Sequence, residues 1–266
     1  SRALRYPIYD LSDSTDMYVS LNFYSLEVCR PGYGFVEINP NNTEAFSKLG
    51  HSELIFSAFT ADEEIIKINI CNKLGCSCID GHYVNHLKFS PDGRYCLAFH
   101  LEPSQASIAD YATCVLICTS SWDVTTIPLN GRVSHYCWDS NNSLVLTYLG
   151  SAGIYYSFHK IDNGVNYKTH EIRVESDGHP SWINDEEILT DTYPDKYGYQ
   201  HLLKMNVVDG SQSAILSVNS NVPNSMDKRC DLHPRYCKKS NQIVIDSDGL
   251  NSERQVLIIP FESLGA

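Results

Sequence analysis

The chain of 266 residues has only 3 methionines, no long apolar run and a shortage of positive charge. No stretch reaches the roughly 18 apolar residues that a membrane span needs. The 20 Lys and Arg stand against 32 Asp and Glu, which gives a net charge of −12. Non-specific nucleic-acid binding requires a basic face, so this balance argues against it. The first residues contain no apolar signal-peptide segment. We therefore expect no membrane and no nucleic acid among the partners.

What is present favours strands over helices. Hydrophobic residues make up 42% of the chain, enough for a sizeable core, and tyrosine is abundant at 17 residues. Aromatic and β-branched residues are enriched in strands. The composition therefore predicts a folded, strand-rich protein.

Ten cysteines are also present, and most of them stand singly inside apolar runs. That placement is typical of reduced core thiols in a cytoplasmic protein, which is the interpretation we favour. An alternative is a zinc or disulfide cluster of Cys71, Cys76 and Cys78, although the paired Cys-x2-Cys knuckles of structural zinc sites are missing.

An internal repeat is the most informative feature. Each copy has a histidine, an aromatic residue three positions later, a polar turn and a β-rich run. The four copies begin at His86, His135, His179 and His233, and a fifth begins at Tyr6 in place of histidine. The four histidines are spaced by 49, 44 and 54 residues. Periods of this length built from short strands are typical of propeller blades.

The repeat predicts an all-β fold, a single β-propeller domain over residues 1–266 with four-stranded blades. Repeats start near 6, 86, 135, 179 and 233, so the chain holds five or six blades, in a trimmed or partial ring. The step of 80 residues between Tyr6 and His86 has two interpretations. It is one long repeat, or it contains a degenerate blade near 45–80.

Equivalent positions in a propeller converge on its central channel. On a regular strand, an offset of three puts the histidine and the aromatic on opposite faces. We therefore predict that His86, His135, His179 and His233 are ligands of a divalent metal, Mn, Zn or Fe. The alternative is that each histidine fastens the backbone of a neighbouring blade. Nothing indicates a nucleotide or an organic cofactor.

Further candidate residues surround these histidines. The proposed catalytic residues are Tyr193, His82, Arg229 and Arg235, and the proposed substrate-binding residues are Arg5, Tyr6, Arg30, Tyr33, Asn85 and Asp231. Arginine binds carboxylate or phosphate with two parallel hydrogen bonds. The predicted partner is thus an acidic oligosaccharide or another small anionic ligand.

Two segments carry a family resemblance. Phe89-Ser90-Pro91-Asp92-Gly93-Arg94 resembles the unit of TolB-type WD40-like propellers, and His179-Pro180-Ser181-Trp182 resembles a segment of bacterial oligogalacturonate lyases. The sequences at Tyr6-Pro7-Ile8-Tyr9, at Arg30-Pro31-Gly32-Tyr33-Gly34 and from Arg229 to Arg235 are similar to those of uncharacterised propellers from polysaccharide gene clusters.

The lyase resemblance implies a propeller in which three His and one Gln hold manganese. It also implies β-elimination on uronic-acid sugars, with a histidine base and a nearby arginine. The lyase pattern has a Gln and a further His before this segment, where this chain has Glu175-Ser176-Asp177-Gly178, so the metal ligands would come from the other blades.

The function we expect is a metal-dependent lyase acting on an oligosaccharide that contains uronic acid. The alternative from a different class is a non-catalytic propeller that binds a glycan or a protein, with structural histidines. A metal-dependent hydrolase or sugar-modifying enzyme is a weaker third hypothesis.

Overall fold

The computed structural model describes residues 3–35, 52–76, 81–102, 111–162, 165–220, 229–249 and 253–264. The chain divides into two compact units, residues 1–129 and 130–266. None of the helices in the described ranges has the length and apolar character that a membrane crossing requires.

The first unit contains two four-stranded antiparallel sheets, each with its strands in chain order. Sheet 1 consists of β1 (Asp10–Leu11), β2 (Met17–Leu21), β3 (Glu53–Ala58) and β4 (Glu63–Asn69). Sheet 2 consists of β5 (Tyr83–Phe89), β6 (Tyr95–Glu102), β7 (Tyr111–Cys118) and β8 (Val124–Thr126). Helices α1 (Phe23–Cys29) and α2 (Ile70–Leu74) follow β2 and β4.

The second unit contains three antiparallel sheets of the same meander type. Sheet 3 consists of β9 (Gly131–Trp138), β10 (Ser143–Gly150), β11 (Gly153–Asp162) and β12 (Val165–Val174). Sheet 4 consists of β13 (Ser181–Asn184), β14 (Glu187–Asp191), β15 (Tyr199–Asn206) and β16 (Gln212–Asn219). Sheet 5 consists of β17 (Arg235–Cys237), β18 (Gln242–Ser247) and β19 (Gln255–Pro260), and a 3₁₀ turn follows at Phe261–Leu264.

The sequence repeat corresponds to one sheet per copy. In the four copies that begin with histidine the aromatic residue lies on the first strand of its sheet, and the polar turn leads into the second strand, whereas Tyr9 of the first copy directly precedes β1. The turn at Ser90-Pro91-Asp92-Gly93 connects β5 to β6. Gly93 has a φ of 71° and donates its N–H to the carbonyl of Ser90 at 2.9 Å, which closes the turn. The long step after Tyr6 holds β1 to β4, which form one sheet, so the strands described within residues 45–80, β3 and β4, belong to sheet 1.

Neighbouring sheets of the second unit pack face to face through apolar side chains. Sheets 3 and 4 share a core that includes Val145, Tyr156, Ile188 and Met205. Sheets 4 and 5 share a second core, in which Leu189, Leu202, Ile243 and Ile245 are buried. Trp182 and Tyr236, the repeat aromatics of sheets 4 and 5, pack against these cores. The histidines of the same two copies, His179 and His233, lie just before the first strands of these sheets.

Candidate functional site

A buried aspartate at the end of β14 positions two of the repeat histidines. Asp191 Oδ1 accepts the backbone N–H of His179 at 2.6 Å and lies 2.9 Å from Nδ1 of the same residue. Asp191 Oδ2 accepts the backbone N–H of His233 at 3.0 Å. A carboxylate that bonds one ring nitrogen of a histidine orients the other nitrogen as a ligand. Asp191 therefore positions the backbone of His179 and His233 and orients the imidazole ring of His179.

Three repeat histidines of the second unit lie side by side. The ring centroids of His135 and His179 are 3.9 Å apart, and those of His179 and His233 are 4.0 Å apart. Burial, and then the neighbouring His179, lowers the pKa of His233 below its ordinary value. The structure thus brings the rings of these three residues together, while His86 belongs to the first unit.

Asp231 joins two of these histidines in a group that can hold a metal ion. One ligand atom each of His179, Asp231 and His233 lies within 4.8 Å of the others. Asp231 is buried, and its Oδ1 has no hydrogen-bond partner in the described part of the chain. Its Oδ2 receives a bond from Arg229 Nη2 at 2.8 Å. A buried carboxylate oxygen without a donor is costly unless a cation neutralises it, so these residues fit a divalent metal.

His135 faces a different set of partners. Its Nε2 lies 3.2 Å from the hydroxyl of Tyr193 and 3.7 Å from Oδ2 of Asp177. Burial, and then the charge of Asp177, raises the pKa of Tyr193, so this phenol stays protonated. The guanidinium of Arg229 lies over the Tyr193 ring at 5.0 Å. His135 and Tyr193 thus form a hydrogen-bonded pair of titratable side chains.

The backbone at these histidines departs from the regular strand of the prediction. Ser134 is an extra residue in β9, because Thr147 pairs with His135 and Tyr148 pairs with Val133. β-bulges of this kind re-aim the side chains beside them. Both His179 and His233 precede a proline and their strands begin after it, and His233 has a φ of 42°. The histidines therefore do not take the regular strand positions that would place them on the face opposite the aromatic residues. His135 lies beside a bulge, and His179 and His233 lie just before their strands begin.

The first unit holds several predicted site residues in contacts of its own. The ring of His86, in a bulge of β5 with a φ of 54°, stacks on Phe99 with centroids 4.9 Å apart. Asn85 is buried, and its Oδ1 accepts from the Tyr9 hydroxyl at 2.7 Å and from the His86 N–H at 2.8 Å. His82, predicted to be catalytic, is buried against Cys71 and His100.

The remaining predicted residues make ordinary surface or core contacts. The Tyr6 hydroxyl bonds to Glu64 at 3.0 Å, and the guanidinium of Arg5 lies over the Tyr6 ring. Arg30 lies over the ring of Tyr33 and donates to its hydroxyl at 3.3 Å. Arg235 is exposed and donates to the carbonyl of Pro234 at 3.3 Å.

The structure also adds a residue whose role the repeat did not indicate. Asp191 follows the apolar strand residues Ile188 and Leu189. Its partner His179 lies 12 positions before it in the chain, and its partner His233 lies 42 positions after it. A carboxylate at the end of a buried strand was the available signal, since such a charge needs partners.

Comparisons with known proteins bear on the fold. No protein-family model and no curated protein sequence matches the chain. Among solved structures, an oligogalacturonate lyase in complex with manganese is 16% identical with a TM-score of 0.55, over 80% of this chain and 55% of the lyase. The β-propeller domain of the Trilobed protease from Pyrococcus furiosus is 9% identical with a TM-score of 0.52, over 78% of this chain and 60% of that domain.

A third structure, the tricorn protease, is 8% identical with a TM-score of 0.51, over 82% of this chain and 24% of the protease. Because the match to the oligogalacturonate lyase covers 55% of that protein, the chain spans about half the length of the lyase. These likenesses confirm the predicted β-propeller fold and its resemblance to the oligogalacturonate lyase fold.

Proposed function

We propose that the chain is a metal-dependent lyase acting on a sugar that contains uronic acid, at the group formed by His179, Asp231 and His233. The observation that supports this proposal is the buried Oδ1 of Asp231, which lacks a hydrogen-bond partner in the described residues and lies beside two histidines. Two histidines and one carboxylate suit Mn, Fe or Zn.

The metal would be held by these three side chains, with Asp191 orienting His179. When bound, a divalent ion supplies a Lewis acid that draws charge from the substrate carboxylate and acidifies the neighbouring C5–H bond. Such an ion requires neutral imidazole, and the lowered pKa of His233 keeps that ring uncharged near neutral pH.

Proton removal falls to Tyr193 and His135. Because its pKa is raised, Tyr193 is protonated before the reaction and cannot act as a base in the form of a phenolate. Its hydroxyl lies 3.2 Å from His135 Nε2, so it can pass its own proton to that nitrogen as it accepts the proton from C5. The C4–O bond of the sugar then breaks as the C4–C5 double bond forms, and the leaving oxygen takes a proton from water. Asp177 Oδ2, 3.7 Å from His135 Nε2, stabilises the imidazolium.

Arg229 is the residue we assign to the substrate carboxylate. It bonds to Asp231 and lies over Tyr193, so one guanidinium joins the metal-binding group to the proton-transferring pair. Its side chain is 36% exposed, so an incoming anion can reach the guanidinium. Arg235 stays the second candidate for this role.

The test is to load the purified chain with Mn, Zn or Fe and to add oligosaccharides of different uronic acids. We expect ultraviolet absorbance from the unsaturated product, and its loss in the variants His179→Ala and Asp231→Asn. Tyr193→Phe should keep the metal and lose at least about 100-fold in kcat, since general acid–base groups contribute about that much or more.

The matched control is His201→Ala, a second-unit histidine whose ring bonds Ser217 at 2.8 Å. This variant should keep both metal and activity. Product formation that survives His179→Ala would overturn the proposed site. If the metal binds but no uronate is cleaved, the lyase function is wrong, and glycan or protein binding by a non-catalytic propeller becomes the better hypothesis.

A further inference from the structure

A second cluster of metal-ligand side chains lies in the first unit, apart from every residue assigned to the proposed lyase chemistry. It consists of Cys71 in helix α2, Cys76 just after that helix, His82 before β5 and His100 in β6. One ligand atom of each residue lies within 4.8 Å of the other three. Two thiols and two imidazoles are the donor set of many structural zinc sites.

The distances within the cluster fit one tetrahedral ion. Bond lengths of zinc to nitrogen and sulfur imply edges of about 3.3 Å between two nitrogens and about 3.6 Å between nitrogen and sulfur. His82 Nδ1 and His100 Nε2 are 3.3 Å apart. Cys71 Sγ lies 3.4 Å from His100 Nε2 and 3.9 Å from His82 Nδ1. Three of the four donors therefore lie at distances close to the edges of a coordination tetrahedron, and a ligand atom of Cys76 lies within 4.8 Å of each of them.

Local structure explains why these four residues meet. Helix α2 ends at Gly75, whose φ of 68° reverses the chain. The Cys76 N–H then bonds to the carbonyl of Cys71 at 3.1 Å, which returns the second thiol to the first. His100 is fixed on β6, paired with Val84 on one side and Thr113 on the other.

The surroundings are those of a closed site. Cys71, His82 and His100 are buried, and Cys76 is half-buried. Glu102 Oε1 lies 3.8 Å from His100 Nδ1, the ring nitrogen that faces away from the cluster. Carboxylates in that position orient zinc-bound histidines. With four protein donors no coordination position is left for a substrate, which distinguishes this cluster from the His179 group.

We propose that Cys71, Cys76, His82 and His100 bind a structural zinc ion that joins helix α2 to sheet 2. The ion would hold the chain between β4 and β5, where the sequence passes from sheet 1 to sheet 2.

The test uses the full chain, purified without chelator. We expect about one zinc ion per chain that resists dialysis, as in closed four-ligand sites. Replacement by Co²⁺ should give a thiolate-to-cobalt charge-transfer band and the visible bands of a tetrahedral ion. Removal of zinc should lower the melting temperature and should open Cys71 and Cys76 to alkylation, which zinc then prevents.

Cys71→Ser and His100→Asn should lose the cobalt thiolate band, whereas Cys237→Ser, at an exposed cysteine, should keep it. If the first two variants do not fold, the cobalt spectrum and zinc-dependent alkylation of the unmodified chain still decide the matter. The thiolate band should survive in His179→Ala, which separates this proposal from the lyase. A chain that binds cobalt without a thiolate band, or that carries a Cys71–Cys76 disulfide, would overturn it.

Discussion

The carboxylate of Asp191 bonds the backbone N–H groups of two histidines that are far apart in the chain. Residue identity alone did not reveal this role, because an aspartate after a strand is equally typical of a turn. The histidines themselves were predictable, since the repeat aligns them. Their third partner, Asp231, was predicted to bind substrate, and only its distance to His179 and His233 suggests a metal ligand.

His159 gives a prediction about pH at the scale of one residue. Its ring is buried, with Nε2 2.8 Å from Ser157 Oγ and Nδ1 2.9 Å from Asn166 Oδ1. Burial lowers the pKa of His159 from 6.5 to about 4. A folded pKa below the unfolded one adds stability above pH 6.5, and that stability is lost as the pH falls toward 4.

Between about pH 7 and about pH 4.5 the unfolding free energy should fall by about 2 to 3 kcal/mol because of this residue. His159→Gln should lose that part of the pH dependence, as measured by urea unfolding at both pH values. Equal slopes for His159→Gln and the unmodified chain would contradict the assignment.

At the scale of elements, the candidate histidines lie on β9 and at the entries to β13 and β17, and the irregular backbone there was the hardest part to predict. The period of the repeat predicted strand, turn and strand correctly, because apolar runs and turn residues act locally. The bulge at Ser134 depends on contacts to Thr147 and Asp177, which lie in other elements. The entries at His179 and His233 depend on Asp191. Such long-range partners leave no periodic trace.

Gly178 gives a prediction about the entry to β13. A Cβ at this position would overlap the carbonyl oxygen of Asp191 and the hydroxyl of Thr190. Gly178→Ala should therefore push His179 away from Asp191. We expect metal affinity to fall by about 10- to 100-fold, the usual effect of disturbing the groups behind a ligand, together with a loss of about 1 to 3 kcal/mol in stability. Metal titration and urea unfolding measure the two effects.

Gly131→Ala is the matched control, because its Cβ would overlap the carbonyl oxygen of Leu149 at the far end of β9 from Trp138. This variant should lose stability and keep the metal affinity of the folded chain. If both variants change metal affinity equally, the effect of Gly178 is general destabilisation, and its link to His179 fails.

At the scale of the whole molecule, the repeat made the fold predictable. Five sheets in the described residues follow the copies that begin at Tyr6, His86, His135, His179 and His233. The proposed zinc cluster was predictable only in part, through Cys71 and Cys76, and Cys78 of the sequence hypothesis lies outside the described residues. His100 lies 29 positions from Cys71 and follows the apolar run of residues 95–99 in its strand, so spacing alone could not connect them.

The net charge of −12 gives a prediction about salt. A negative molecule repels an anionic substrate at long range, while Arg229 and a bound metal act only at contact. Raising the ionic strength from about 0.01 M to about 0.15 M shortens the screening length from about 30 Å to about 8 Å. The affinity for a short oligogalacturonate should therefore rise with salt over this range, as isothermal calorimetry would measure.

The methyl-esterified oligosaccharide is the control, since it lacks charge and its affinity should stay constant with salt. An affinity for the acidic sugar that weakens as salt rises would show that a local cationic field outweighs the charge of the whole molecule.

The donors of the His179 group come from two neighbouring sheets, since His179 precedes β13 and Asp231 and His233 precede β17. An ion there would therefore act as a cross-link that exists only while sheets 4 and 5 are docked. Binding that favours the docked state stabilises it by mass action, so the supply of metal would set how long this seam stays closed. Without the ion this seam would lose the cross-link, and proteolysis between sheets 4 and 5 would become faster.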